Sequence, residues 1–328
     1  MRRENLETVQ RLRFYCIILL DLYGSKINQP AMEKQKQAYA CAFITVLLWA
    51  TVASAFKISL RYLDFLNLLL YSSATSAVVL FLILQVQNKL GLLREYSRKD
   101  YMRSALLGFL SPFIYYVVLF KAYSLLPAQE AQPLNQTWVI MISILSIILL
   151  KQKIGFTNIF ATFTSFIGVL IISTHGDISN LRFSDLTGVS LALGSAVIWS
   201  LFWVYNIKDE RDEAAKLFLN FTFGFAYILI TMIIFSKIII PDTIGVLGAV
   251  YIGLFEMGVT FVIWLKALKL SRTTTQVSNF IYLIPFLSLI FIYFTVGETI
   301  LSSTIIGLIF IFAGILIQQY AEKHRNII

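Results

Sequence analysis

The sequence predicts an all-α polytopic membrane protein, with ten transmembrane helices arranged as two inverted five-helix repeats. Three observations lead there. The 328 residues are 58% hydrophobic and only 14% charged, too apolar a balance for a water-soluble domain of this length. Charge is missing from nine long stretches and limited to one residue in a tenth, each close to the roughly 20 apolar residues that a helix needs to cross a bilayer. Residue types also recur at a constant offset between the two halves, the mark of an internal duplication.

The ten stretches are 38–56, 65–88, 104–120, 131–150, 154–174, 186–207, 217–236, 243–265, 273–297 and 299–321. Nine contain no Asp, Glu, Lys or Arg, and the eighth contains only Glu256. A transmembrane β-barrel would instead show alternating segments of about ten residues.

The net charge of +9 follows from which side of the membrane the basic residues face. With the N-terminus in the cytoplasm, inside segments after Met32 carry most of the Lys and Arg, from Lys34 and Lys36 through Arg94, Lys151, Lys208 and Lys266 to Arg325. Outside segments carry Lys57, Arg61, Lys121, Arg182 and Lys237. Both termini are therefore expected in the cytoplasm, in a cell membrane, and nucleic acid is not needed as a partner to explain the charge.

Cys16 and Cys41 have no metal-ligand spacing around them. His175 is expected in an outside loop and His324 in the tail, both as solvated residues, so no cluster for metal binding or nucleophilic catalysis can be assembled. No cofactor is expected. Residues 1–37 form a separate N-terminal segment; the apolar stretch from Phe14 to Leu20 is too short to span, and Met32 reads as a natural start before the first helix.

Trp49 matches Trp199, and Gly108 with Lys121-Ala122 matches Gly253 with Lys266-Ala267. After one insertion Val139 aligns with Pro285, Gln152 with Glu298, Ala161 with Gly307 and Gly168 with Gly314. The units are expected at 38–174 and 187–320, joined by an extracytoplasmic linker at 175–186 and followed by a cytoplasmic tail at 321–328. Five spans is an odd number, so the second unit runs the other way through the membrane. Inverted units generate alternating access to a site near the midplane, which favours a carrier over a pore.

The segment Lys121-Ala122, then Pro127-Ala128-Gln129-Glu130-Ala131-Gln132-Pro133-Leu134-Asn135-Gln136-Thr137-Trp138, then Leu150-Lys151-Gln152-Lys153 resembles the drug/metabolite transporter superfamily. Its second copy, Lys266-Ala267-Leu268, Tyr282-Leu283-Ile284-Pro285, Gly297-Glu298 and Gly314, does too. The resemblance is to the ten-helix EamA-type branch and covers nearly the whole chain after residue 37. It implies a secondary transporter that moves small metabolites, often amino acids, outward without a bound cofactor. Relatives commonly carry proline at the place of Val139 and glutamate at the place of Gln152; here only the second unit has both, as Pro285 and Glu298.

Glu256 is the sharpest candidate for transport chemistry. A carboxyl near mid-bilayer costs roughly 2.5–3.5 kcal/mol on insertion scales, so it should face a cavity or a partner. It could exchange a proton or neutralise a cationic substrate group, or serve as a structural carboxyl bonded to a neighbouring helix. Gln132, Asn135 and Trp138 at the start of span four, with Gln136 and Thr137, offer hydrogen-bonding groups, as do Gln276, Ser278, Asn279 and Tyr282 in span nine. The i, i+3 spacing puts Gln132 with Asn135 on one helix face. Trp49, Trp199 and Tyr115 sit at mid-span, and cavity lining competes there with helix packing. Ala161, Gly168, Gly307 and Gly314 read as close-packing seams. The charges from Lys208 to Glu213 read as a solvated connector.

The substrate is expected to be a small organic solute, with protons as candidate coupling ions and the lipid bilayer as surroundings. The missing nucleotide-binding loop excludes ATP-driven pumping within this chain. A carrier of sugar phosphates or nucleotides would need Lys121, Lys266 or Lys269 as phosphate ligands, but these lie at helix ends where they can snorkel to headgroups. A membrane-embedded enzyme acting on a lipid-linked substrate is a further alternative, and it lacks an acid-base cluster.

Overall fold

The computed structural model describes residues 31–138, 140–141, 145, 156–177, 184–271 and 279–325. Their regular structure is helical, with no strand among the described residues. In the first unit, α1 (Ala31–Ser59) and α2 (Phe65–Val86) are the first two spans, and a short α3 (Leu90–Glu95) follows them. The third span is α4 (Arg98–Gly108), a π-helical turn (Phe109–Ile114) and α5 (Tyr115–Leu125); α6 (Ala128–Gln136) opens the fourth and α7 (Phe156–Ser173) is the fifth. The second unit repeats this with α8 (Leu186–Ile207), α9 (Glu213–Phe235), α10 (Thr243–Phe255) and α11 (Val259–Leu270). Its ninth span joins a 3-10 turn (Asn279–Leu283), α12 (Ile284–Phe291) and a π turn (Ile292–Val296), and the tenth is α13 (Ser302–Arg325). Six of the spans are long and apolar enough by length and composition to cross a membrane, and the stretches Phe160–Ser173, Ile284–Val296 and Ser302–Ile317 are shorter apolar helices.

Acidic residues just outside the charge-free runs start the helices. Asp64 accepts from the backbone N–H of Leu66 and Asn67 at 3.0 and 3.1 Å. Asp185 caps Gly188 and Asp242 caps Gly245, each at 2.7 Å, and Ser97 and Asp100 form a capping box on α4. Each cap satisfies N–H groups that the first helical turn leaves unpaired. This is why the acids cluster at the edges of the spans.

Helices of one unit pack on those of the other in matching pairs. α1 lies against α11 and α12, and its counterpart α8 lies against α5 and α6; α2 lies against α10 while α9 lies against α4. α2 meets α9 and α7 meets α13, each pair relating a helix to its own repeat. The exchange of partners makes a bundle with inverted two-fold character, with Lys89, Arg103 and Arg211 brought together at one end around Asp209 and Asp212. That end is called the basic end below, and the other the far end.

The α7–α13 seam reads as the sequence predicts. A Cβ added at Gly307 would sit 2.6 Å from the Gly168 carbonyl oxygen, and one at Gly314 would sit 2.5 Å from that of Ala161. The two backbones touch, and neither helix can yield without unpacking the other. Gly307→Ala is expected to destabilise the protein by about 1–3 kcal/mol, measured as a lower unfolding midpoint in mixed detergent micelles; an unchanged midpoint would show that the seam is loose.

Three expectations need correction. Spans three and eight are not continuous helices: Ser111 has φ −148° and ψ 126° inside the third, and α10 ends at Phe255, four residues before α11 begins. The two breaks coincide in the repeat register, because the offset that pairs Gly108 with Gly253 pairs Ser111 with Glu256. Span four starts at Ala128 rather than 131 and so draws Glu130 into the packed region, fully buried. The segment from Lys208 to Glu213 is not a solvated connector, since Asp209 is 2% exposed. Val139, Gln152, Gln276 and Ser278 lie outside the described residues.

Candidate functional site

The break at Glu256 is built locally and stabilised from a distant helix. The Glu256 and Met257 amides both reach back to the Ile252 carbonyl, at 2.8 and 3.2 Å, and Gly258 takes φ −119° and ψ −102° before α11 starts. The Met257 carbonyl, released from the helical ladder, accepts from the Ser76 hydroxyl at 2.7 Å, as membrane-buried backbone requires. In the third span Pro112 supplies no N–H. A Cβ at Gly224 would lie 2.5 Å from the Pro112 ring, so glycine on α9 makes room for it. Glu256 thus projects from a non-helical turn, not from the middle of a continuous helix.

Between the two units lies a cavity of about 470 Å³. Its lining includes Glu256, Gln132, Asn135, Trp138, Trp49, Trp199 and Tyr115, which the sequence singles out, and it brings all seven together. Asn279 and Tyr282 fall on the 3-10 turn that opens the ninth span; their side chains are outside the described set. Glu256 Oε1 accepts from the Tyr116 hydroxyl at 3.0 Å. The Tyr115 hydroxyl points to Asn135 Oδ1 at the long distance of 3.5 Å. Asn135 Nδ2 donates to Ser195 Oγ at 2.8 Å, and Gln132 Oε1 accepts from the Tyr123 hydroxyl at 2.7 Å. Adjacent residues on one helix cannot face the same way, yet Tyr115 and Tyr116 both serve the site because its polar groups surround the start of α5.

Aromatic rings make the wall. Trp199 stacks on Tyr115 at 4.5 Å and 24° and on Phe202 at 5.6 Å. Trp203 stacks on Phe261 at 6.1 Å, and Trp49 lies 5.8 Å from Trp264. All five tryptophans of the chain line this cavity, which the sequence alone marked only at Trp49, Trp199 and Trp138. Trp203 falls four residues, about one helical turn, after Trp199, a signal that was there to be read; Trp264 aligns with Leu119 and has no matching aromatic.

Two polar networks adjoin lining residues, one near Gln132 and Tyr123 and one at Asn206, Glu213 and Lys216. At the far end Glu130, fully buried, lies with Oε1 2.6 Å from His175 Nε2 and accepts from Ser184 Oγ at 2.5 Å. His175 therefore has a buried partner and is not simply solvated. Glu298 holds the backbone N–H groups of Ala128 and Gln129 at 2.9 and 3.1 Å, capping α6 from across the repeat interface. Lys57 Nζ donates to the Tyr123 and Leu126 carbonyls at 3.0 and 2.6 Å, closing the end of α5.

At the basic end Arg211 forks onto Asp209, with Nη2 to Oδ2 at 2.5 Å and Nε to Oδ1 at 2.9 Å, and also donates to the Asp100 carbonyl and Ser104 Oγ, each at 2.9 Å. Its guanidinium carbon sits 5.4 Å from the Tyr96 ring centre. Lys216, buried among the lining residues, donates to the Asp209 carbonyl at 2.8 Å and pairs with Glu213 at 2.9 Å. Burial pushes the Asp209 carboxyl up, but the Arg211 hydrogen bonds and the charges of Arg211 and Lys216 outweigh it and hold the group below the usual carboxylate range. The sequence does not show that this cluster is buried, because the groups that cover it, the Asp100 carbonyl and Ser104 on α4, lie about a hundred positions away.

Among the described residues no group of His, Cys, Asp or Glu could hold a metal ion. Cys41 is buried in α1, and Cys16 lies outside the described residues.

An inverted-repeat helical bundle with broken helices meeting at a central, polar and aromatic cavity is the architecture of a membrane transporter. The chain belongs to the EamA-like transporter family, which matches residues 36–174 and 186–318. A protein of Clostridium kluyveri named an uncharacterized transporter is 30% identical over 187 residues, covering 54% of this chain and 59% of that protein. A second uncharacterized transporter, from Archaeoglobus fulgidus, is 24% identical over 288 residues, 86% of this chain and 96% of its own. A solved crystal structure superposes with a TM-score of 0.60 at 19% identity, over 88% of this chain and 98% of that one; it shows the fold alone. The protein is a multi-pass membrane protein whose substrate is a small molecule.

Proposed function

We propose that the protein is a secondary carrier that exports small organic metabolites, amino acids or related compounds, across the cell membrane by alternating access. The observation that carries this reading is the position of the cavity. It lies between two inverted units, each with a helix broken at the matching position, Ser111 and Glu256. Exchanging the conformations of the units would move the opening from one end to the other without moving the site. The basic end is assigned to the cytoplasm, with both termini, on the excess of Lys and Arg there. The limits 38–174 and 187–320 with a linker at 175–186 belong to the same reading.

Within it Glu256 is the coupling or charge-recognising group. Gln132, Asn135, Trp138, Trp49, Trp199 and Tyr115 bind the solute, with Asn279 and Tyr282 approaching from the ninth span. The sugar-phosphate alternative is less well supported, because Lys121 and Lys266 are not among the lining residues and Lys216 is committed to carbonyls and Glu213. The enzyme alternative is less well supported: Ser184 donates to Glu130 and not to His175, so the three do not form the serine–histidine–carboxylate relay of a nucleophilic triad, and neither Glu130 nor His175 is among the lining residues of the cavity.

The test is reconstitution in liposomes and a panel of amino acids, amines and nucleoside-type metabolites, with and without a pH gradient. Saturable, counterflow-competent uptake is the expected result. Non-saturating flux without counterflow would replace the carrier with a channel, and turnover without transmembrane movement would replace it with an enzyme.

A further inference from the structure

The chemistry of the cavity is more specific than its size. Its walls hold all five tryptophans of a chain that also has 27 Phe and 16 Tyr, of which Phe56, Tyr115 and Tyr123 line it, so the concentration of indoles in one place is not a consequence of a generally aromatic core. Trp199 is held between Tyr115 and Phe202 and makes a rigid back wall. Trp49, Trp138 and Trp203 each keep part of their surface accessible. The face of an indole carries the negative lobe of its quadrupole and attracts a cation more strongly than the other aromatic side chains do.

The formal charges of the lining point the same way. Among the described lining residues three are ionisable in the ordinary range: Glu213, Lys216 and Glu256. Lys216 and Glu213 pair with each other at 2.9 Å, and the lysine's other donors go to the carbonyls of Asn206 and Asp209. That pair is internally neutral. Glu256 takes a hydrogen bond from the uncharged Tyr116 hydroxyl, and among the described residues no cation is paired with it. Glu256 shares the cavity with the five indoles and with the amides of Gln132, Asn135 and Gln136.

We infer that this cavity selects a small organic monocation, an alkylated or primary ammonium compound, whose charged nitrogen sits among the tryptophan faces and is neutralised by Glu256. The inference rests on the carrier reading for its transport consequence but not for its binding, and it narrows the cargo of that reading from amino acids to related amines that lack a carboxylate. An anion would meet the carboxylate and the indole faces, and among the described lining residues the one cation, Lys216, is already paired with Glu213. A neutral apolar solute would fill the volume and leave Glu256 uncompensated. A zwitterion would place its own carboxylate in the same negative surroundings.

The experiment uses the purified full chain and reads quenching of its intrinsic tryptophan fluorescence, since the reporters are the site itself. Tetraethylammonium is titrated against triethylcarbinol, an uncharged carbon analogue of nearly the same shape, and against leucine as a zwitterion. Tetraethylammonium is expected to quench saturably and to bind at least about tenfold more tightly than either. Glu256→Gln should remove most of that preference, and Trp203→Leu should weaken tetraethylammonium more than triethylcarbinol. If a variant fails to fold, as judged by gel filtration, the wild-type comparison still decides. Equal affinity for the cation and its neutral analogue, or tighter binding of leucine, would overturn the inference. In liposomes, counterflow of zwitterionic or neutral solutes with no preference for cations would overturn it while leaving the carrier in place. Saturable cation binding with no counterflow of any solute would support the site and overturn the carrier.

Discussion

Glu256→Gln is expected to abolish saturable counterflow in reconstituted liposomes, or to reduce its rate at limiting substrate on the order of tenfold to a hundredfold. The substitution is nearly isosteric, and glutamine keeps an oxygen that can accept from Tyr116, whose hydroxyl lies 3.0 Å from the carboxylate. The non-helical turn is held by the Ile252 carbonyl and by Ser76, neither of which touches the side chain. What the variant loses is the charge and the proton that it can carry. A hydrogen bond or ion pair to a charged group contributes about 1.5–3 kcal/mol, and each 1.4 kcal/mol is about a tenfold change. The measurement is initial-rate counterflow with and without a pH gradient, alongside a thermal unfolding scan. Wild-type rates and an unchanged response to the gradient in a well-folded variant would remove Glu256 from the mechanism.

Arg211→Ala should have the largest effect on stability. The Asp209 side chain is fully buried, and its bidentate partner is Arg211; Arg103 approaches only to 3.6 Å and is itself half exposed. Removing one member of a buried pair costs about 3–5 kcal/mol, because the remaining charge is left without compensation. Arg211→Lys would recover only part of this, since an ammonium lacks the planar fork that bonds both oxygens of the Asp209 carboxylate in parallel. The double variant Arg211→Ala with Asp209→Ala should be more stable than Arg211→Ala alone. The acid limb gives an independent check. The Asp209 carboxyl is held below its ordinary value near 3.8, so the unfolded chain binds more protons in that window. The contribution of the pair is complete above the ordinary value and is lost as pH falls through the depressed one. The gap between wild type and Arg211→Ala should therefore narrow on acidification, and a gap independent of pH would show that Arg211 acts through packing.

Much of this architecture is legible in the sequence, for a definite reason. A span needs an unbroken apolar run, so its presence is written locally. Trp49 and Trp199, or Gly108 and Gly253, announce the duplication without any knowledge of contacts. Glu256 stands out because a lone carboxyl in such a run is costly. The amides of span four stand out because polar groups there need partners. Even the caps are local, with Asp64, Asp185 and Asp242 each standing immediately before its helix.

The remainder is non-local. Nothing near Lys208 to Glu213 distinguishes a loop in water from a buried ion cluster; that is decided by Ser104 and the Asp100 carbonyl, which α4 brings beneath it. Glu130 and His175 are 45 positions apart and meet only because spans four and five close on the linker. Glu298 reads as a family motif in the sequence and becomes a helix cap for α6 only when the units interlock. Hydropathy cannot see a break such as that at Glu256, because three non-helical residues leave the apolar run intact. The apolar spans and the place of a lone carboxyl, Glu256, in the eighth of them are thus written in the chain alone, since membrane insertion tests each segment by its own composition. The cavity, its five tryptophans and the polar networks beside it were decided by tertiary structure, because a partner that satisfies a buried charge or completes a wall comes from whichever helix the fold places opposite.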